Sequence, residues 1–256
     1  MLPNIYTDKE IEILREGGTF LNTILHEVVN AAKKGVTLDS LNSLAEKLIA
    51  EKGGQPSFLN YRDSKLDRPY PSSLCASVND EVVHGVAKGN QRTLQEGDIL
   101  NLDLGLTHKG LVTDKTLMAG VGKLDPKDIN LVETTKLALD AGIRAIKEGN
   151  TTNDIGQAIE DVVDDRGFFV IKELGGHGVG RHVHEEPFVP NFREGKRGTV
   201  LKAGMVIALE PIVTFSDDEI FLDNDGHTYK TVSGEKCAQW EDTILVKKDG
   251  FEILTR

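Results

Sequence analysis

The sequence predicts an α+β protein in which two similar halves, each a pair of helices followed by strands, share one core. Three observations lead there. Helix-stopping glycines and helix-capping threonines recur at a fixed interval: Gly35, Thr37 and Leu41 are matched 114 positions later by Gly149, Thr151 and Ile155. In both halves, segments with apolar residues at helical spacing give way to segments rich in Val, Ile and Leu. Proline and glycine are scattered rather than gathered into a linker. The 256 residues therefore read as a single domain with halves of about 1–120 and 121–256.

Thr7 followed by Glu10 is a capping-box pair and predicts the first helix start. Ile11, Leu14, Leu21, Leu25 and Val28 then keep one face apolar. Gly35 predicts the stop and Thr37 the next N-cap. Leu38, Leu41, Leu44, Ala45, Leu48 and Ile49 form the second helix's buried face, ended by Gly53 and Gly54. In the second half Pro126 marks a helix start, and Ile129, Val132, Leu139, Ile143 and Ile146 share its apolar face. Gly149 and Thr151 punctuate the next.

Composition narrows the function. With 30 Lys+Arg against 41 Asp+Glu the net charge is −11, which opposes a large nucleic-acid surface. The nearest basic cluster, Arg193, Lys196, Arg197 and Lys202, reads as a solvated loop, and Asp217, Asp218 and Glu219 oppose an RNA surface. No run of about 18 apolar residues offers a membrane span, and the N-terminus reads as a helix start rather than a signal peptide. Two cysteines, Cys75 and Cys237, do not make a disulfide framework. A cytoplasmic protein is expected.

The segment GDILNLDLGLTHKGLVTDKTLMAG reads as a β-hairpin with its turn at residues 107–110. Leu100, Leu102, Leu104 and Leu106 alternate onto one face, leaving Asn101, Asp103 and Gly105 on the other. A turn centred between His108 and Lys109 pairs residues whose numbers sum to 217, which sets Asp103 directly opposite Asp114, with Cβ atoms about 4.5–5.5 Å apart. Facing carboxylates repel, and three remedies are open: water screening, protonation of one, or a bound cation. His108 reads as a turn residue.

Two further acids keep unusual company. Glu210 ends the apolar run GMVIALEP, and Glu241 precedes another in CAQWEDTILV. A salt bridge and a metal-ligand role are equal readings for each. His177 lies among glycines in LGGHGVGRHVHEEP, with His184 seven residues on. His84 ends an apolar run just before Gly85, whereas His26 has no special context. The glycine-rich stretch contains no dinucleotide or phosphate-loop fingerprint and no H-E-x-x-H. Together the Asp, Glu and His residues form a donor set for divalent metals, and four carboxylates against two such ions sum to zero charge.

The motifs NLDLG, VTDKT, GGHGVG, ALEPI and QWEDT, in that order, resemble the methionine aminopeptidases of the pita-bread metallopeptidase fold, in their short type I form. The resemblance spans nearly the whole chain. It implies a pseudo-two-fold antiparallel sheet with helices on one face. It also implies two divalent ions (Co, Mn, Fe, Zn or Ni) held by Asp103, Asp114, His177, Glu210 and Glu241. Asp103 would chelate one ion, Asp114 and Glu241 would bridge both, and His177 and Glu210 would hold the other. Glu210 is then the proton shuttle, while His84 and His184 contact the substrate. Phe58, Tyr61, Tyr70, Cys75 and His227 are the implied lining of the methionine pocket.

The implied activity is removal of an N-terminal methionine that precedes a small residue, by a monomer acting on nascent-protein N-termini near the ribosome exit. No DNA or membrane partner is implied, and Leu2 at the second position implies that the enzyme does not process itself. The sequence departs from the family pattern in a longer stretch over 62–69, in Val183 before HEEP, where an aromatic is common, and in His227, where Trp is common. Looser or more polar pocket walls are the expected result. Two rivals share the scaffold. Peptidases that cut Xaa-Pro bonds usually carry an extra N-terminal domain, and non-catalytic binding proteins lose metal ligands that are all present here.

Overall fold

A computed structural model describes residues 3–62, 68–195, 197–216 and 219–256. Leu2, Lys196, Asp217, Asp218 and residues 63–67 of the long 62–69 stretch lie outside the described residues. Helices α1 (Asp8–Ala31) and α2 (Leu38–Glu51) lead into β1 (Gln55–Pro56), β2 (Cys75–Val78), β3 (Glu81–Val83) and the hairpin β4 (Ile99–His108)–β5 (Leu111–Gly120). Then α3 (Pro126–Arg144) and α4 (Thr152–Asp165) precede β6 (Phe169–Val170), β7 (Gly175–Gly178), β8 (Glu185–Pro190), β9 (Val206–Leu209) and β10 (Ile212–Thr214). The chain closes with β11 (Ile220–Leu222), β12 (Tyr229–Thr231), β13 (Cys237–Gln239), β14 (Asp242–Lys247) and β15 (Gly250–Ile253).

Local chemistry places the helix ends. Thr7 and Glu10 form the full capping box of α1, Thr37 caps α2 through the Ser40 N–H, and Thr151 with Asp154 repeats the box on α4. Asp125 caps α3 with Pro126 in its first turn. The two helical pairs are also tied alike. The Gly35 N–H donates to Leu94 O and the Leu94 N–H to Val36 O. In the second half the Gly149 N–H donates to Leu201 O and the Leu201 N–H to Asn150 O.

Burial follows the same division. Leu100, Leu102, Leu104 and Leu106 of β4 pack with Leu117 and Ala119 under Leu21, Leu25, Leu41 and Ile49 of the first helical pair. Ile207, Leu209, Ile244 and Val246 pack under Leu139, Ile143, Ile155 and Ile159 of the second. Each such side chain contributes roughly 1.5–3 kcal/mol by leaving water. In the first half β4 pairs with β1 and β2 along one edge and β5 along the other, while β15-β14-β9-β7-β8 form a five-stranded antiparallel sheet in the second. The halves are stitched where β5 meets β14: the Asp114 N–H donates to Thr243 Oγ1 at 2.9 Å and the Glu241 N–H to Thr116 O at 3.2 Å.

Three details differ from expectation. The hairpin turn is Lys109–Gly110, both with positive φ (49° and 82°), so pairs sum to 219 rather than 217. A two-residue turn of this kind matches strand twist, and glycine tolerates its second position. Asp103 therefore faces Thr116, and Asp114 faces Gly105. The two carboxylates share a face as diagonal neighbours, roughly 7–8 Å apart at the backbone. His108 ends β4 instead of sitting in the turn; it is buried, with its ring edge against Phe20. Ile129 lies on the exposed side of α3, where Asp128 and Leu131 face inward instead. Both cysteines are buried free thiols. Among the described residues no helix is long and apolar enough to cross a membrane.

Gly18 of α1 lies so close to the C-terminal segment that a Cβ there would stand 2.2 Å from Leu254 O. Gly18→Ala should therefore cost about 1–3 kcal/mol, since overpacking forces backbone to move. A lower urea midpoint at unchanged slope is the expected result; an unaltered midpoint refutes the contact.

Candidate metal centre and its cavity

Asp103 and Asp114 project from the hairpin on the side away from α1 and α2. Glu210 follows β9, His177 lies in β7 and Glu241 sits between β13 and β14. All five line one cavity of about 360 Å³. One donor atom each of Asp114, His177 and Glu241 lies within 4.8 Å of the other two. Glu210 Oε1 stands 3.5 Å from His177 Nε2.

Glycine brings His177 in. A Cβ at Gly176 would meet Ala208 O at 2.4 Å, and one at Gly178 would meet Glu186 O at 2.3 Å, so only bare backbone fits beside the neighbouring strands. His177 Nδ1 lies 2.9 Å from Gly178 O. A carbonyl only accepts, so Nδ1 carries a ring proton and Nε2 is the nitrogen turned toward the carboxylates.

Neutral donors hold the acids. Thr116 Oγ1 donates to Glu241 Oε2 at 2.9 Å, and Gln239 Nε2 donates to Glu210 Oε2 at 2.9 Å. Asn101 fixes Gln239 by accepting its backbone N–H at 3.0 Å. Among the described residues no Lys or Arg pairs with these four acids; the nearby buried Lys115 bonds Asp242 instead. The salt-bridge reading for Glu210 and Glu241 thus gives way to an acid cage. Burial is the first cause that pushes Asp103, Glu210 and Glu241 well above the usual carboxylate range, and mutual repulsion is the second. Burial raises Asp114 to about 6 against the opposing charge of His184. Asp103 Oδ1 and Asp114 Oδ1 are buried without a hydrogen-bond partner. Orphaned carboxylate oxygens, an imidazole nitrogen and, among the described residues, no paired lysine or arginine fit a divalent metal.

The remaining residues singled out in the sequence surround this cage. The His184 ring centroid is 4.4 Å from that of His177, and its Nδ1 is 3.2 Å from the Tyr61 hydroxyl. His84 adopts a left-handed φ of 59°, a conformation that costs energy and recurs at functional sites. Its ring lies between Tyr70 (6.3 Å) and Tyr229 (6.0 Å). Phe58, Tyr61, Tyr70 and Cys75 form an apolar wall, with His227 edge-on to Tyr70 at 5.7 Å. Burial, then the Asp103 charge, pushes the Cys75 thiol up, so it is an apolar wall group and not a thiolate. All twelve residues expected to serve the site line this one cavity, as does Val183.

Sequence reasoning missed Gln239, Tyr229 and the cavity-lining Arg62 and Arg68, together with Thr116 behind the cage. Thr116 had a signal, since it lies two residues beyond Asp114 and so on the same strand face. Gln239 stands two residues before Glu241, and nothing local marks it.

A family model described as metallopeptidase family M24 matches residues 12–248. The methionine aminopeptidase of Aquifex aeolicus is 39% identical, covering 100% of this chain and 99% of its own length. Methionine aminopeptidase 1 of Bacillus subtilis is 36% identical over 98% of both. The crystal structure of the Thermotoga maritima methionine aminopeptidase superposes with a TM-score of 0.94 at 35% identity over 100% of both chains. The prolidase of Pyrococcus furiosus shares the fold alone, with a TM-score of 0.77 at 22% identity over 98% of this chain and 65% of its own.

The raised carboxyls bind protons more tightly in the folded than in the unfolded chain. From roughly pH 4, where unfolded carboxylates titrate, to about 6, where Asp114 does, the metal-free native state holds the excess of protons, and these groups lower its stability as pH rises. Divalent cations displace those protons. The gain in melting temperature on adding Mn²⁺ to chelated protein should therefore grow from pH 4.5 to 6.5, read by scanning fluorimetry at each pH. A gain independent of pH refutes the cage.

Proposed function

The chain belongs to metallopeptidase family M24, and from that premise we propose that it hydrolyses the first peptide bond of polypeptides that begin with methionine followed by a small residue. One observation carries the reading: a cage of four acids and His177, paired with no lysine or arginine among the described residues, floors a cavity that also has an aromatic wall. The cage suits attack on an amide, and the wall suits an unbranched apolar side chain. Full-length relatives named methionine aminopeptidase support the same activity.

Asp103, Asp114, His177, Glu210 and Glu241 would hold two divalent ions, which supply Lewis acidity and an activated water when bound. Mn, Fe, Co, Zn and Ni all suit this oxygen and nitrogen donor set. Gln239 ties Glu210 Oε2, so Oε1 is the atom that accepts a proton and passes it on. His184 donates to the scissile carbonyl and His84 to the departing nitrogen, each where charge develops. Both halves supply donors to one cage, which supports treating residues 1–256 as a single catalytic domain. The substrates are peptide and nascent-protein N-termini, and the reaction is set in the cytoplasm, where such chains emerge.

Two assays test this. Met-Ala-Ser should lose methionine, while Met-Lys and Ala-Pro peptides should react at least tenfold more slowly, a difference of about 1.4 kcal/mol in barrier. Preferential cleavage of Ala-Pro would replace the reading with a prolidase-like one. Glu210→Gln should lower kcat by about 10²–10⁴ with KM little changed, as loss of a general base does. His84→Ala should lower kcat by about 10²–10³ at unchanged metal content, and full activity would remove His84 from the mechanism.

A further inference from the structure

His184 is exposed, and it stands at the end of the turn formed by residues 180–184, not inside a strand. Its ring is nonetheless set against His177 and the Tyr61 hydroxyl. The groups that stiffen the turn lie outside the cavity, in the segment that precedes α1. Glu185, next to His184, accepts four hydrogen bonds. Its Oε1 takes the backbone N–H groups of Arg181 and His182, both at 2.8 Å. Its Oε2 takes the Tyr6 hydroxyl at 2.8 Å and the Asn4 side-chain amide at 2.6 Å.

Tyr6 is the centre of this bracket. Its oxygen also accepts the Arg181 N–H at 3.0 Å, and the Arg181 guanidinium lies over its ring at 4.9 Å. That guanidinium bonds Asn4 Oδ1 at 3.0 Å and Glu10 Oε1 at 2.8 Å. A Cβ at Gly180 would stand 2.2 Å from the Tyr6 oxygen, so phenol and turn are in direct contact. At the other side of the turn the Val112 N–H donates to Gly180 O at 2.6 Å, which ties the turn to the strand that carries Asp114. Burial and the adjacent Glu185 carboxylate push the phenol well above its usual range, so Tyr6 stays a donor at working pH.

Tyr6 is 4% exposed and does not line the cavity. Both Glu185 oxygens are occupied by the bracket, which leaves them no part in the chemistry. We infer that Tyr6 is a positioning residue for the reaction: acting through Glu185, it sets where His184 stands against the substrate. The inference rests on the proposal that His184 touches the substrate. Orientation of this kind matters because misplacement by 1 Å costs on the order of 100-fold in rate.

Tyr6→Phe removes the hydroxyl and keeps the ring beneath Arg181. On Met-Ala-Ser we expect kcat to fall roughly tenfold, with KM within about twofold. In a His184→Ala background the same change should leave kcat within about twofold, because the group it positions is gone. Rate losses that multiply, or a Tyr6→Phe enzyme with wild-type kcat, overturn the inference. A second readout needs no turnover: in histidine side-chain NMR of the chelated protein, Tyr6→Phe should shift or broaden the His184 signals while those of exposed His26 stay. Unmoved His184 signals overturn it as well. Should Tyr6→Phe fail to fold, Asn4→Ala is carried through the same cycle, with the same pattern expected and the same results fatal. A wild-type protein that releases no methionine would defeat the functional reading, whereas an active enzyme indifferent to His184→Ala would defeat this inference alone.

Discussion

Four carboxylates share one cavity wall, among the described residues no lysine or arginine pairs with them, and the rest of the site is arranged around that repulsion. Taking a carboxylate out of water without a partner costs several kcal/mol, and the whole fold is stable by only about 5–15 kcal/mol. The charged cage therefore cannot stand alone. Protons or cations must bind, and the fold chooses which by the donors it supplies. Thr116 and Gln239 each satisfy one oxygen of Glu241 and Glu210, while Asp103 Oδ1 and Asp114 Oδ1 are left orphaned. A lysine placed among them would have filled the role of the cation; Lys115 is instead spent on Asp242.

The duplicated architecture explains how such a cage is assembled. Each half lays its helices on one face of its strands, so the donors project from the opposite face. Asp103 and Asp114 come from the first half; His177, Glu210 and Glu241 come from the second. The bonds joining β5 to β14 pass through the backbone of Asp114, Thr116 and Glu241 themselves. Part of the seam between the halves thus runs through the cage, and the repulsion is borne by backbone held on both sides.

What the sequence made legible follows from the range of each interaction. Thr7, Thr37 and Thr151 were readable because a cap is settled by three or four neighbouring residues. The acids and histidines were readable as a set because their chemistry has few other uses in such company. The hairpin turn was placed one residue too early, which shifts the pairing by two, because Lys-Gly is a weaker turn signal than Asn-Gly or Asp-Gly. His108 inherited that error. Ile129 was assigned to the buried stripe of α3, but its neighbours Asp128 and Leu131 hold the inward positions there and Ile129 is turned outward. Gln239, Asn101 and Tyr6 were illegible for a different reason: each acts on a partner distant in the chain, and no local pattern announces such a contact.

The register of that hairpin matters beyond its own strands. Had Asp103 faced Asp114, their side chains would have met head-on, and the residue opposite each acid would have been another acid. With the turn one step later, Asp114 lies across from Gly105. A Cβ at Gly105 would come within 2.6 Å of the Phe58 ring, so the bare backbone there is what admits Phe58 to the cavity wall. One glycine therefore separates two acids along the ribbon and opens the place that an aromatic side chain fills. The charged floor and the apolar wall are products of the same register, and the cavity's capacity to take an apolar side chain beside a charged centre is already set by a two-residue turn.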